Sequence, residues 1–170
     1  MQNLIIIGGG SAGFAAAIKA NDLGAKVTMI NAGLPLGGTC VNVGCVPSKT
    51  LIRAGETLYR ASHNHFEGIQ TEGRINDFKA VTKQKQNLVE TLRQKKYSDV
   101  IAGLSNFNLI EGKARFISSN SIEVNNEILN ADRFIIATGA VPFIPENYGL
   151  PVSEYLTNET IFDLERFQSP

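Results

Sequence analysis

Three glycines, Gly8, Gly10 and Gly13, lie between a short apolar run and an alanine-rich stretch near the start of this 170-residue chain. Residues 4–7 are continuously apolar, which is typical of a parallel strand covered on both faces. Residues 14–23 are rich in alanine and favour a helix. Glycines at this spacing, directly after a strand and at the start of a helix, predict a nucleotide-binding loop.

Each glycine has a physical task in such a loop. Gly8 allows the tight turn, Gly10 lets the backbone approach a pyrophosphate, and Gly13 lets the helix pack on the strand. Ser11 and Ala12 contribute free N–H groups at the positive end of the helix dipole. A plain glycine turn would not need all three glycines at this spacing, so we predict that a dinucleotide binds here.

Asn31 stands where such a loop normally has an acid. Residues 27–30 predict a second parallel strand, which completes a strand–helix–strand unit of about 30 residues. The residue after this strand usually accepts the ribose hydroxyls with a carboxylate. An amide oxygen accepts fewer hydrogen bonds and carries no charge, so we expect binding weakened by about 1–2 kcal/mol. Asn31→Glu is therefore expected to tighten cofactor binding.

Two further helices are predicted in the middle of the chain. Residues 33–44 are predicted to be a glycine-rich loop, and residues 47–61 a helix that tolerates Pro47 in its first turn. Residues 78–92 predict a long helix with Asn76 as its N-cap. In that region Phe78, Leu88 and Leu92 are predicted to be core, and a solvated basic face is predicted for Lys83, Lys85, Arg93, Lys95 and Lys96.

The remaining pattern is mainly β. Residues 108–117, 121–124 and 127–131 are predicted to form an antiparallel meander, followed by a strand at 133–137. Prolines and mixed polarity predict a linker over residues 146–170. The fold class predicted is α/β, a Rossmann-like three-layer domain over residues 1–145 with a parallel sheet and an antiparallel β-meander.

The only two cysteines, Cys40 and Cys45, lie five positions apart. Thiols this close can cycle between dithiol and disulfide and so carry two electrons. A structural metal site is the alternative, but two soft ligands are too few, and His63 and His65 are too distant in sequence to complete a tetrahedral set. The histidines are predicted to lie on a solvated turn and receive no role.

Composition limits the partners and the compartment. The formal net charge is zero, so neither nucleic acid nor a membrane surface is a predicted partner. The N-terminal apolar run follows no basic region and is too short to span a bilayer. We therefore predict a cytoplasmic protein, in which closely spaced cysteines indicate redox chemistry.

Residues 37–49 match GGTCxNxGCxPSK throughout, the active-site signature of the FAD-dependent pyridine nucleotide-disulfide oxidoreductases, and the chain resembles the N-terminal part of that family. Residues 41–49 followed by 52–54 most resemble the mercuric reductases, and residues 95–97 and 111–116 also match them well. Dihydrolipoamide dehydrogenases usually carry Leu and Ile where this chain has Val41 and Val46, and they are the second choice.

The resemblance implies a role for each matching residue. Cys45 would be the thiol beside the flavin, forming a charge-transfer thiolate, and Cys40 the interchange thiol that meets substrate, with Hg(II) as a candidate. A helix N-terminus near Cys45 would stabilise its thiolate. Lys49 would reach the flavin edge. The implied FAD contacts are Gly8, Gly10, Ser11, Ala12, Gly13, Asn31, Gly33, Gly38, Thr39, Cys45, Lys49, the backbone of Ala114, and Thr138 with Gly139.

The resemblance also implies what a complete family enzyme needs besides these residues. Family members have an NADPH-binding domain and an interface domain that makes them homodimers, and we expect neither in these 170 residues. Electrons would pass from NADPH to FAD, to Cys40 and Cys45, and then to Hg(II), lipoamide or glutathione disulfide. We expect this chain alone to be inactive; a non-catalytic flavin-binding module is the alternative from another class.

Overall fold

The computed structural model describes residues 1–145 and 155–166, and the chain divides into two compact units. The first unit comprises Met1–Asn42 and Leu92–Val141, and the second comprises Val43–Thr91 and Pro142–Pro170. Among the described helices, none is long and apolar enough to cross a bilayer.

A four-stranded parallel sheet forms the centre of the first unit. Its strands are β1 (Asn3–Ile7), β2 (Lys26–Asn31), β3 (Phe107–Glu111) and β7 (Arg133–Ile136), in the order β3-β2-β1-β7. The apolar runs at residues 4–7 and 27–30 are confirmed as central strands. Their continuous hydrophobicity reflects a sheet covered on both faces.

The two faces of this sheet bury separate clusters. Because successive strand residues point to opposite faces, Ile6 packs on one side and Ile5 on the other. The Ile6 side is covered by α1 (Ser11–Asp22), whose Phe14 and Ala17 are buried against it. The Ile5 side packs against Ile122 of the β-meander. Helix, sheet and meander make the three layers that the sequence predicts.

The meander consists of three short antiparallel strands. They are β4 (Arg115–Phe116), β5 (Ser121–Val124) and β6 (Glu127–Asn130). Asn125 and Asn126 link β5 to β6 with φ of 52° and 64°, a left-handed conformation that Asn tolerates and that suits a two-residue hairpin. The turn lies between the strands predicted at residues 121–124 and 127–131.

One predicted strand, residues 108–117, is wrong as a single element. The chain forms β3 in the parallel sheet and then β4 in the meander, with a break at Gly112. Gly112 passes close to the side chains of Val124 and Asn125, where a Cβ atom would approach within 2.7 Å and 2.6 Å. A glycine inside a strand pattern often marks such a close approach.

The predicted loop at residues 33–44 is also wrong in part, because it contains the helix α2 (Gly38–Val43). Val41 on this helix is buried. Further along the first unit, a π-helical turn (Gln94–Ser98) leads into α5 (Asp99–Ala102). Tyr97 on that turn packs edge-to-face on Phe14, with ring centroids 4.8 Å apart.

The second unit contains α3 (Cys45–Ser62) and most of α4 (Phe78–Arg93), confirming both predicted helices. The N-cap of α4 is Asp77 rather than Asn76, since the Ala80 amide donates to Asp77 Oδ1 at 3.2 Å. The linker predicted over residues 146–170 lies outside the described residues at 146–154 and 167–170. Its described part contains one 3₁₀ turn, Ile161–Asp163.

Two predictions about the faces of α4 are wrong. Leu88 is 41% exposed although it was predicted to be core, while Phe78 and Leu92 are half-buried and Val89 is buried. Lys85, predicted to be solvated, is only 4% exposed, because its aliphatic stem is buried and its Nζ donates to the Phe162 carbonyl at 2.6 Å.

Candidate cofactor site

The glycine loop after β1 closes tightly on the backbone around it. Gly8 has φ of +122°, and a Cβ atom there would overlap the carbonyl oxygen of Ala137. A Cβ atom on Gly13 would overlap the carbonyl oxygen of Gly8. These overlaps explain why glycine is needed at both positions, as the sequence predicts.

The N-terminus of α1 opens onto this loop. The first intrahelical bond runs from the Phe14 amide to the Gly10 carbonyl at 2.9 Å, so the amides of Ser11, Ala12 and Gly13 precede the helical ladder. Ser11 and Ala12 are exposed. Amides in this position, at the positive end of a helix dipole, favour a phosphate group.

A second glycine segment lies against the first. The Gly37 amide donates to the Gly9 carbonyl at 2.8 Å, and Gly10 forms an isolated parallel bridge with Gly37. Gly38, with φ of +61°, comes so close that a Cβ atom there would lie 2.9 Å from the Gly10 Cα. Together these contacts join two glycine segments beside the N-terminus of α1, an arrangement that we call the glycine cradle. The free amides of α1 next to it suit the pyrophosphate of a dinucleotide.

Asn42 holds the second glycine segment in place. Its Nδ2 lies within hydrogen-bond distance of three carbonyls, those of Pro35 at 2.9 Å, Leu36 at 3.2 Å and Gly38 at 2.9 Å. Its Oδ1 accepts a hydrogen bond from Arg93. The sequence reasoning did not single out Asn42. The available signal was its place within the matched segment 37–49.

Asn31 has a different environment from the one the sequence suggests. Its side chain is buried, and its Nδ2 donates to the Glu111 carboxylate at 3.0 Å and to the Leu34 carbonyl at 3.2 Å. A carboxylate is therefore present at the end of β2, supplied by the neighbouring strand β3. Finding Glu111 requires the strand order, because only the sheet brings the two strand ends together.

The loop after β7 supplies other predicted residues. A Cβ atom on Gly8 would lie 3.0 Å from the Thr138 amide nitrogen, so Thr138 adjoins the glycine loop. Gly139 follows with φ of +72° and is exposed. Ala114 packs against the meander-side core, and Gly33 lies on the exposed turn after β2. Their proximity to a cofactor stays a prediction.

The two cysteines are thiols on consecutive helices. Cys40 lies inside α2, in the first unit, and is half-buried. Cys45 is exposed and is the first residue of α3, in the second unit. The loop predicted around Cys40 is wrong, whereas Cys45 lies at the start of the second predicted helix. Lys49, one turn into α3, is exposed.

The basic stretch and the histidines are mostly exposed. Lys83, Lys95 and Lys96 are exposed, as predicted, whereas Arg93 is half-buried through its bond to Asn42. His63 stacks on Tyr59, with ring centroids 4.1 Å apart. Across the described ranges, no three His, Cys, Asp or Glu residues lie together as a metal site.

Comparison with known proteins identifies the family. The family model of the pyridine nucleotide-disulphide oxidoreductases matches residues 2–169, and the chain belongs to this family. It corresponds to the FAD-binding portion of such proteins.

Several relatives are mercuric reductases. The chain is 49% identical over 164 residues to the mercuric reductase of Lysinibacillus sphaericus, and 48% identical over 163 residues to that of Staphylococcus aureus. Each alignment covers 96% of this chain but only 30% and 29% of those proteins, so the chain spans about three-tenths of their length. The resemblance seen in the sequence is confirmed.

A solved structure confirms the fold. The HOCl-induced flavoprotein disulfide reductase RclA from Escherichia coli superposes with a TM-score of 0.76 at 26% sequence identity. The match covers 96% of this chain and 34% of RclA.

Proposed function

We propose that this chain is the FAD-binding, dithiol-carrying portion of a mercuric reductase that takes its electrons from NADPH. The observation that carries the proposal is 49% identity to a mercuric reductase over 96% of the chain. This similarity includes the segment 37–49, which holds both cysteines.

The glycine cradle supports FAD as the cofactor. The amides of Ser11, Ala12 and Gly13 would donate to the phosphates, while Gly10 and Gly38 let the two glycine segments lie in backbone contact beside these amides. When bound, FAD supplies two-electron chemistry that connects a nicotinamide donor to a thiol pair.

The two thiols have distinct proposed roles. Cys45 is exposed and is the first residue of an 18-residue helix, and it would be the thiol nearer the cofactor. Cys40 would meet the substrate. Lys49, exposed one turn after Cys45, would place a positive charge near the cofactor edge.

Hg(II) suits this pair chemically. Thiolates are soft ligands and prefer soft metal ions. Reduction of Hg(II) to Hg(0) takes two electrons, the number that NADPH donates as a hydride and that a dithiol releases, with two protons, when it becomes a disulfide. The electron count of the thiol pair therefore matches the proposed substrate without a further reductant.

The edge of the parallel sheet supports a role within a larger protein. Ile136 on the edge strand β7 is 68% exposed, and Ile135 beside it is also exposed. Parallel sheets are normally covered on both faces. We propose that the rest of the family enzyme covers the exposed side chains of this strand.

The test has two stages. The purified chain is first titrated with FAD and with Hg(II), alongside Cys40→Ser and Cys45→Ser. We expect FAD to bind all three proteins and Hg(II) affinity to fall at least tenfold in each variant. Unchanged Hg(II) affinity in both variants would refute a role for the thiol pair.

The second stage addresses the substrate. A protein that joins this chain to a nicotinamide-binding domain is assayed for NADPH oxidation with Hg(II), lipoamide and glutathione disulfide. Preference for Hg(II) is the expected result. A preference for either disulfide would assign the chain to a dihydrolipoamide dehydrogenase or glutathione-reductase-like enzyme, and no oxidation with any substrate would favour a non-catalytic module.

A further inference from the structure

We propose that Glu111, positioned by Asn31, accepts the ribose hydroxyls of the adenosine half of FAD. The inference rests on the proposed binding of FAD to the glycine cradle. It assigns to the end of β3 a task that the sequence pattern places at the end of β2.

Asn31 is already engaged by its neighbours. The side chain is only 5% exposed, and Nδ2 donates to the Leu34 carbonyl and to the Glu111 carboxylate. The side-chain oxygen lies against Gly9, where even a Cβ atom would collide with it. A buried amide with these contacts orients the Glu111 carboxylate. Its oxygen is poorly placed to accept a hydrogen bond from a ribose hydroxyl.

Glu111 is held from three sides. In the parallel register it pairs with Asn31, and the next residue, Gly112, donates its amide to the Asn31 carbonyl at 2.8 Å. Asn125 in the meander turn donates to the Glu111 carbonyl at 2.9 Å. The backbone of Glu111 is thereby fixed, while the bond from Asn31 orients its carboxylate.

The carboxylate has acceptor capacity left. An ionised carboxylate offers about four lone-pair sites, and the Asn31 amide occupies at most two of them. Glu111 is exposed, so the remaining sites face solvent. Two adjacent ribose hydroxyls are donors that fit such a group.

The position of the carboxylate also fits. In open parallel sheets, ligands bind beyond the carboxyl ends of the strands. Glu111 is the last residue of β3 and adjoins Asn31, the last residue of β2, which itself touches Gly9 of the glycine loop. The charge expected after β2 is thus present one strand away.

The first test is FAD affinity of Glu111→Gln, measured by flavin fluorescence titration. The variant keeps the shape and the acceptor for Asn31 but removes the charge, and we expect an affinity loss of about tenfold, the difference between charged and neutral hydrogen bonds. Glu127→Gln, at an exposed position in the meander, is the matched control and should bind like wild type.

The second test identifies the ligand group. Wild-type chain is titrated with ADP, 2′-deoxy-ADP and 3′-deoxy-ADP by calorimetry. We expect loss of at least one hydroxyl to weaken binding by about tenfold in wild type and by less than threefold in Glu111→Gln. An equal loss in both proteins would overturn the proposal.

The variant Asn31→Glu tests whether Asn31 orients Glu111 or contacts the ribose itself. It places a second carboxylate where an amide now donates to Glu111, so FAD affinity should fall rather than rise. Tighter FAD binding by this variant would overturn the inference and restore Asn31 as the ribose position. Failure of wild type to bind FAD at all would instead refute the proposed function.

Discussion

The guanidinium of Arg93 donates a hydrogen bond to the side-chain oxygen of Asn42 at 3.0 Å, across 51 positions of the chain. The amide of the same Asn42 faces three carbonyls of the segment that carries Gly38. Arg93 therefore orients the Asn42 side chain, which holds the segment that carries Gly38.

Removal of this clamp, the Asn42 side chain with its hydrogen bond from Arg93, should loosen the glycine cradle. Asn42→Ala leaves part-buried partners unsatisfied, and we expect the free energy of unfolding to fall by about 1–3 kcal/mol. Urea denaturation measures the loss, and FAD titration should show weaker binding. Asn87→Ala, at an exposed position of α4, is the control and should leave FAD binding unchanged, while helix propensity raises the free energy of unfolding by no more than about 0.7 kcal/mol. A wild-type urea midpoint in Asn42→Ala would contradict the role of the clamp.

Substitutions at Gly8 and Gly33 should show how much steric overlap costs in stability beyond backbone strain alone. Both have positive φ, but an added Cβ atom overlaps Ala137 at Gly8 and meets nothing within 4 Å at Gly33. We expect Gly33→Ala to cost about 1–2 kcal/mol, the strain of a left-handed residue. Gly8→Ala should cost more than about 4 kcal/mol or prevent folding. Thermal unfolding by circular dichroism checks both, and equal costs would show that overlap at Ala137 is unimportant.

Lys85 is predicted to anchor the segment around Phe162. Lys85→Met keeps the buried stem but removes the donor to the Phe162 carbonyl, so stability should fall by about 1–3 kcal/mol. Hydrogen exchange in residues 155–166 should also become faster.

Lys79→Met is the matched control in the same helix. Lys79 pairs with Glu165, which raises the pKa of Lys79 by hydrogen bonding and by charge, but both side chains are exposed and little change is expected. Equal effects of the two variants would contradict the anchor.

The sequence predicted best those features that arise from local patterns. Residues 4–7 and 27–30 were recognised as buried parallel strands because their hydrophobicity is continuous. The glycine loop was recognised because the spacing and the flanking elements were both present. The Asn125-Asn126 turn falls between two short β-type patterns, and both residues have the positive φ that Asn tolerates.

Features that depend on the strand order or on distant contacts were missed. Glu111 becomes a site candidate only because β3 lies beside β2, and no local pattern shows this neighbour. The break at Gly112 was missed because the residues on both sides favour strands, although they belong to different sheets. Lys85 was misjudged because its acceptor is a backbone carbonyl 77 positions away.

Gly55 and Gly73 in the second unit offer a test of how well helix α3 and its neighbours are packed. A Cβ atom on Gly55, inside α3, meets nothing within 4 Å, so Gly55→Ala should stabilise the protein by about 0.5–1 kcal/mol through helix propensity. A Cβ atom on Gly73 would lie 2.9 Å from the Cβ of Ala61 and 3.2 Å from the Leu58 carbonyl, so Gly73→Ala should destabilise. Urea denaturation of both variants shows whether the free energy of unfolding rises for Gly55→Ala and falls for Gly73→Ala. Because Gly55 lies ten positions beyond Cys45, Gly55→Ala should leave the rate of thiol alkylation at Cys45 unchanged. Destabilisation by Gly55→Ala would mean that the space around α3 is filled.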